Sequence, residues 1–235
     1  MCGRFAMLVA PADMPILFGT ENEEEFPPRY NIAPTQPVLT VLDDHGRRVS
    51  RLMRWGFVPG WVKDPREFSL LINARIETVR EKPAFRDALK HGRCIVPASG
   101  YYEWQRISDK QKQPCYVTRT DGAPMALAGL YSSWSGPNGE EVDTVATITT
   151  AARDELAPLH DRMPVTLADE AIAAWLDVRG VRDDEALALL RDPPAGTFQF
   201  HPVSSRVNSA EFDDAELVAP VAPMKPPRPA QLDLF

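Results

Sequence analysis

The residue with the most distinctive chemistry in this chain is the cysteine at position 2. Removal of the initiator Met1, which a side chain as small as that of cysteine permits, would make Cys2 the N-terminus. One residue would then carry an amine with a pKa of about 7.7–8.0 and a thiol with a pKa of about 8.5. An aldehyde can form an imine with the amine, after which the thiolate can close a five-membered thiazolidine ring. This pairing indicates covalent capture of aldehydes, although a cysteine at a frayed terminus can equally be accidental.

Several polar residues elsewhere in the chain could orient a ligand or move protons. Asn73 and Arg75 lie in an apolar run, and at strand spacing they share one face with Glu77. This polar face either contacts a ligand's oxygens or phosphates, or it faces solvent. Glu103 stands among aromatic residues, where a carboxyl group tends to have a raised pKa and can serve as general acid or base, unless it simply faces water. His160 could cap the end of a helix or shuttle protons near neutral pH.

The composition is that of a globular protein with a sizeable core. The chain has 235 residues, of which 44% are hydrophobic and 25% charged. Its 23 prolines are about twice the usual share, which argues against a helical bundle. The three cysteines lack metal-ligand spacing, so we expect no disulfide scaffold, metal or cofactor. No apolar run reaches about 18 residues, and no apolar segment precedes Cys2, so a cytoplasmic protein without a membrane partner is expected. We also expect a monomer.

Positive charge is concentrated in the first half of the chain. The formal net charge is −7, yet the window from Arg47 to Arg93 holds twelve basic and five acidic residues. A local basic stripe of this kind can bind phosphates even in an acidic protein. It can equally be a solvated face that acidic neighbours balance.

Many short strands and few helices are predicted. Strands are expected at 4–10, 38–42, 49–55, 94–96, 101–105, 115–118, 125–134, 144–149 and 198–203. Helices are expected at 13–19, 83–91, 169–177 and 183–191, with a single helical turn at 154–159. We therefore predict an α+β domain over residues 1–215, built around a twisted, mostly antiparallel, barrel-like sheet with flanking helices. Residues 216–235 are predicted to be a disordered, Pro-rich tail.

Six short motifs occur together and in a fixed order over roughly residues 1–210. They are Met1–Phe5, Tyr30–Pro34, Arg54–Pro59, Asn73–Thr78, Cys94–Trp104 and His160–Pro164. With these motifs the chain resembles the SRAP (SOS-response-associated peptidase) family. The set is far more specific than any one member, and no departure is seen at the expected catalytic positions.

The resemblance implies that the chain senses abasic sites in single-stranded DNA and belongs to DNA repair and the SOS response. Cys2 would form a thiazolidine DNA–protein crosslink that shields the lesion from strand cleavage. Glu103 would transfer protons, Asn73 would orient Cys2 or the opened sugar, and His160 would assist at the sugar hydroxyl and in reversal. The residues expected along a positively charged DNA channel are Arg4, Asn31, Trp55, Gly56, Trp61, Arg75, Arg162, Met163 and Pro164. Among them, Trp55 and Trp61 would stack on bases or wedge the strand.

Two other functions remain open from the sequence. The first is a cysteine peptidase in which Cys2 is the nucleophile and His160 the base, as the family name suggests. The second is a non-covalent single-strand binding module in which Cys2 is incidental. A peptidase needs only the thiol of Cys2, whereas a thiazolidine needs the thiol and a free amine together.

The end of the chain carries a separate signal. After a Pro-rich segment from Pro220 to Pro229, the last residues resemble the peptides by which bacterial replication and repair proteins dock on the sliding clamp. Gln231 would offer amide hydrogen bonds, and Leu232, Leu234 and Phe235 would be apolar anchors in a groove. A chance match, or a tail that folds back on the domain, are the alternatives. Docking would bring the protein to replication forks, and hence to the nucleoid.

Overall fold

The computed structural model describes residues 2–225, which form a β-rich domain. Its twelve described strands are β1 (Phe5–Met7), β2 (Arg29–Ile32), β3 (Pro37–Asp44), β4 (Arg47–Trp55), β5 (Asn73–Arg75), β6 (Arg93–Ala98), β7 (Gly100–Arg106), β8 (Lys112–Arg119), β9 (Met125–Ser135), β10 (Glu141–Ala151), β11 (Arg162–Pro164) and β12 (Phe198–Pro202). The described α-helices are α1 (Met14–Phe18), α2 (Pro83–His91), α3 (Asp169–Leu176) and α4 (Asp183–Ala188). No helix among these residues is both long and apolar enough to cross a membrane.

Five strands close into a barrel. The order is β10-β4-β3-β6-β9, and β9 pairs again with β10 to complete the ring. Only the β10–β4 pair of this ring is parallel. The short strands β5 and β11 attach to the far end of β10, where Thr147 pairs with Asn73 and Thr149 with Pro164. The predicted α+β fold with a barrel-like, mostly antiparallel sheet is confirmed.

The second sheet is antiparallel throughout and packs against the barrel. Its order is β12-β8-β7-β1-β2. Because side chains alternate along a strand, Phe5 and Tyr101 enter the main core, while Ala6 and Tyr102 face the opposite side. Any residue on β7 that shares the side of Tyr101 therefore lies between the two sheets.

The outer face of this sheet is covered by residues 203–225, here called the C-terminal strap. Leu217 is fully buried against it. Farther along, the Val221 amide donates to the Pro202 carbonyl at 2.9 Å, and the Met224 amide donates to Oε1 of Gln113 at 2.8 Å. The prediction of a disordered tail from residue 216 is therefore wrong for residues 216–225. A Pro-rich segment without periodicity can still be ordered when it packs on a preformed sheet.

Local turn and cap signals predict several elements well. The hairpin between β3 and β4 turns at His45 and Gly46, whose φ angles of 56° and 87° are those of a type I′ turn. Helix α1 ends at Gly19 in the left-handed region. Helix α2 begins with Pro83 and has the predicted bounds. Helix α4 is shorter than predicted, and residues 154–156 form a 3₁₀ turn.

Candidate active site

The four predicted catalytic residues meet between the barrel and the second sheet. Cys2 lies three residues before the start of β1, and this N-terminal segment is fixed where the Tyr102 amide donates to the Arg4 carbonyl at 2.9 Å. Glu103 lies on β7, on the side that faces the barrel. Asn73 is the first residue of β5, and His160 lies in the loop before β11. Two sheets and two loops thus contribute one side chain each.

Asn73 is held in one orientation between Cys2 and the barrel. Its Nδ2 donates to the Cys2 carbonyl at 2.9 Å, and its Oδ1 accepts from the Thr147 hydroxyl at 2.7 Å. The Cys2 carbonyl can only accept a hydrogen bond, so the amide nitrogen must face it, and Thr147 binds the remaining oxygen. Thr147 is fully buried on β10 beside β5. This neighbour of Asn73 was not found from the sequence, because the pairing of β5 with β10 joins segments about seventy residues apart.

Replacement of Thr147 by valine should lower the free energy of unfolding by about 1–3 kcal/mol. The change keeps the shape of the side chain but leaves Oδ1 of Asn73 without its buried donor. Urea denaturation would measure the loss. The matched control is Thr118→Val on β8, which is half-buried and should change stability by less than about 0.5 kcal/mol. Equal stabilities for Thr147→Val and the parent chain would show that this hydrogen bond contributes nothing.

Glu103 and His160 can form a short proton path. Glu103 is 3% exposed, and its Oε2 lies 4.0 Å from Nε2 of His160. The Arg162 amide donates to Nδ1 of His160 at 2.9 Å, which fits a neutral ring that carries its proton on Nε2, facing Glu103. A charged ring would instead donate from Nδ1 to Oδ1 of Asp161, 2.8 Å away on the surface. The ring can therefore carry a proton between a buried carboxyl group and solvent.

The Cys2 thiol lies in surroundings that keep it protonated. It is fully buried, and this burial, together with the nearby Glu103 carboxylate, raises the pKa of the thiol to about 12. Its Sγ lies 3.8 Å from the Arg4 carbonyl. Tyr101, two residues before Glu103 on the same face, is also buried, which raises its pKa well above the usual value, with further contributions from Cys2 and Glu103. A reaction at Cys2 thus needs a base inside the site, and the structure supplies a carboxyl group.

Two arginines flank this cluster, and each has a buried Nε without a hydrogen-bond partner among residues 2–225. Arg162 binds both carboxylate oxygens of Glu77, at 2.6 and 2.9 Å, and its hydrogen bonds lower the pKa of Glu77. Arg4 donates to Oδ1 of Asn31 at 2.8 Å and to the Val207 carbonyl at 2.7 Å. Both guanidinium groups are fixed in position by these bonds.

The other predicted DNA contacts divide into exposed and buried residues. Arg75 and Trp61 are exposed, and the Trp61 side chain is 63% exposed. Trp55 is fully buried, donates to the Ile72 carbonyl at 3.0 Å and packs edge-on against Phe5. The prediction that Trp55 stacks on a base is therefore wrong. The Trp55 indole instead packs against Phe5, the first residue of β1, which is the strand that follows Cys2.

Four further residues predicted to contact DNA are also buried. Asn31 is fully buried, and its amide donates to the carbonyls of Ser209 and Phe212, which fastens the C-terminal strap. Met163 and Pro164 are buried on β11. Gly56 is buried too, at a φ of 144°, and a Cβ there would lie 2.5 Å from Leu70. Cys2 and Glu103 are just as buried, so burial alone does not test these four contacts, which stay predictions.

Comparisons with known proteins give a consistent result. The family described as "SOS response associated peptidase (SRAP)" matches residues 1–210. Abasic site processing protein YoqW of Bacillus subtilis is 38% identical, covering 93% of this chain and 99% of its own length. Abasic site processing protein YedK of Escherichia coli is 35% identical, covering 94% and 100%. A crystal structure of a protein from Bacteroides thetaiotaomicron aligns with a TM-score of 0.83 at 23% identity, covering 94% and 100%, and shows the shared fold.

Proposed function

The chain belongs to the SOS response associated peptidase (SRAP) family, and we propose that it processes abasic sites in single-stranded DNA by capturing them covalently on Cys2. Its relatives YoqW and YedK are named abasic site processing proteins. The observation that carries the proposal is the position of Cys2, whose carbonyl is held by Asn73 while its thiol lies within the field of Glu103. An aminothiol fixed beside a buried carboxyl group suits an aldehyde substrate.

The proposed reaction forms two bonds at C1′ of the abasic sugar. The closed sugar first opens to its aldehyde. The Cys2 amine, free once Met1 is removed, attacks this carbon, and water leaves to give an imine. The thiol sulfur then adds to the same carbon, and its proton passes to the nitrogen. The product is a thiazolidine, and the net change is the loss of one water molecule.

Each polar residue has a separate role in this scheme. Glu103 takes a proton from the attacking amine and gives it to the leaving hydroxyl, and it later carries the thiol proton to the imine nitrogen, which overcomes the raised pKa of Cys2. Asn73 holds the Cys2 carbonyl and so fixes the direction in which the amine and thiol point. His160 exchanges protons with Glu103 and with the sugar hydroxyl, and assists the reverse reaction. Each of these steps stays inside the buried site.

The DNA strand is held mainly through its phosphates. Arg75 is exposed beside Asn73, and Arg4 and Arg162 lie two residues after Cys2 and His160, respectively. Binding by such contacts should weaken steeply with salt, because phosphate neutralisation releases counterions. Non-covalent binding and covalent capture are therefore separable in an experiment.

The test of this function uses an oligonucleotide with one abasic site and an otherwise identical intact oligonucleotide. Only the first should give a heat-stable shifted band on a denaturing gel with the full chain. A chain that retains a residue before Cys2 should give no band, because its nitrogen is then an amide. A peptidase would need only the thiol of Cys2. Peptide cleavage by the chain that retains a residue before Cys2, with no DNA adduct from the full chain, would therefore favour that alternative. The raised pKa of Cys2 speaks against it, since cysteine peptidases depend on a lowered one.

We further propose that Gln231, Leu232, Leu234 and Phe235 dock on the bacterial sliding clamp; these residues lie outside the described part of the chain. The Pro-rich segment before them would give reach, and the apolar side chains would fill a groove. Such docking would place the protein on the nucleoid, at forks where single-stranded abasic sites arise.

Purified clamp should bind the full chain and fail to bind a chain that ends at residue 230. Calorimetry at tens of micromolar would measure both. Leu234→Ala together with Phe235→Ala should lose binding like the deletion, since both anchors are removed. Clamp binding by the truncated chain, or no clamp binding by the full chain, would contradict the docking proposal.

A further inference from the structure

The loop between β10 and β11, residues 152–161, carries His160 on the barrel side, whereas Glu103 belongs to the second sheet. The distance of 4.0 Å between Nε2 of His160 and Oε2 of Glu103 therefore depends on how this loop lies against that sheet. We propose that Glu155 fixes this distance, as a positioning residue that acts through His160. The inference rests on the proposed function in that His160 moves protons in that reaction.

The Glu155 carboxylate binds two backbone amides at the start of β12, in the second sheet. Its Oε1 accepts from the Phe198 amide at 2.8 Å, and its Oε2 accepts from the Gly196 amide at 3.2 Å. Partial burial alone would raise the pKa of Glu155, yet bonds from backbone amides, that of Phe198 first, lower it below its usual value. The carboxylate is therefore charged at neutral pH and joins the His160 loop to the second sheet.

The segment between Glu155 and His160 is a compact turn that can transmit a displacement. The Leu159 and His160 amides both donate to the Leu156 carbonyl, at 2.9 and 3.2 Å. Leu156 and Leu159 are both buried in the main core. Because these bonds and this burial tie the turn together, a shift of Glu155 relative to the second sheet would carry His160 with it.

The backbone of this loop is bent in a way that needs support. Asp154, next to Glu155, has a φ of 47°, in the left-handed region that a residue with a side chain seldom adopts. Such a conformation persists only where surrounding contacts hold it. The neighbouring ion pair of Arg153 with Asp192, at 3.0 Å, is about half exposed on both sides and contributes little. Of these two links, the amide bonds of Glu155 are therefore the stronger.

The experiment measures the single-turnover rate at which the full chain captures abasic DNA. Glu155→Ala should slow capture by about 10- to 100-fold, because a misplacement of about 1 Å at a reacting group can cost about 10²-fold. Glu155→Gln keeps one neutral acceptor oxygen and should fall between the parent chain and Glu155→Ala. Affinity for a strand with a tetrahydrofuran spacer, which has no aldehyde, should stay at the parent level in both. Glu170→Ala, which removes an exposed carboxylate from α3, is the matched control and should leave both properties unchanged.

A double substitution shows whether Glu155 acts through His160. In a chain with His160→Ala, the further change Glu155→Ala should slow capture no more, because no imidazole is left to position. Parent-level capture by Glu155→Ala, or equal slowing with and without His160, would overturn the proposal. If Glu155→Ala does not fold, Glu155→Gln is put through the same comparison and decides it in the same way. A parent chain that forms no adduct at all would instead contradict the proposed function.

Discussion

Cys2→Ala is expected to abolish the heat-stable DNA adduct while leaving salt-sensitive DNA binding largely intact. Ring closure needs the sulfur of Cys2, and without it the imine stays open to hydrolysis. On the proposed function, DNA affinity comes mainly from phosphate contacts that the substitution does not touch, above all those of the exposed Arg75. A denaturing gel with abasic DNA and a binding titration at two salt concentrations would measure the two properties separately.

Cys94→Ala is the matched control for this prediction. Cys94 is also a buried free cysteine whose pKa burial raises, but it lies on β6 of the barrel, whereas Cys115 pairs across the strands with Glu103. Loss of the Cys94 thiol should leave adduct formation at the parent rate. A heat-stable adduct formed by Cys2→Ala would exclude the thiazolidine mechanism, and loss of the adduct in Cys94→Ala would show that the gel reports folding rather than chemistry.

Glu103→Gln is expected to slow crosslinking by about 10²- to 10⁴-fold, the usual contribution of one general acid–base residue. The substitution keeps the size of the side chain but removes the group that takes the thiol proton. Because the Glu103 carboxylate helps to raise the pKa of Cys2, its loss should lower that pKa. The thiol should therefore react at least as fast with a small alkylating agent, even though the crosslink forms more slowly.

These opposite changes separate a proton-transfer role from a structural one. Single-turnover gels give the crosslinking rate, and mass spectrometry of the Cys2 peptide gives the alkylation rate. Glu140→Gln, in the exposed turn between β9 and β10, is the control and should match the parent in both. If Glu103→Gln crosslinks at the parent rate, Glu103 is not the proton-transfer group. If both rates fall together, the residue holds the site in shape instead.

Elements with strong local signals could be predicted from the sequence. The turn at His45 and Gly46 needs positive φ angles, and α2 has Pro83 at its start. The strand order that closes the barrel could not be predicted, since the contact between β10 and β4 joins segments about ninety residues apart and in parallel orientation. The strap could not be predicted either, because it is ordered by the sheet it covers, through residues such as Leu217.

The candidate site shows the same division. Cys2, Asn73 and Glu103 have side-chain chemistry that marks them in the sequence, and the fold brings them together. Thr147 is an ordinary threonine in a β-rich segment, and only the pairing of β5 with β10 shows that it binds Asn73. Trp55 is the reverse case: the sequence marked it as a residue that stacks on a base, because it is an aromatic residue beside glycine in a loop motif, yet it is fully buried.

Mass spectrometry of the crosslinked N-terminal peptide tests the central claim most directly. The peptide should begin at Cys2, carry the abasic nucleotide, and weigh one water molecule less than its two parts. It should also resist borohydride reduction and alkylation of Cys2, because a thiazolidine has neither an imine nor a free thiol. An adduct on another residue, on a peptide that retains Met1, or on a Cys2 that still reacts with the alkylating agent would contradict the account.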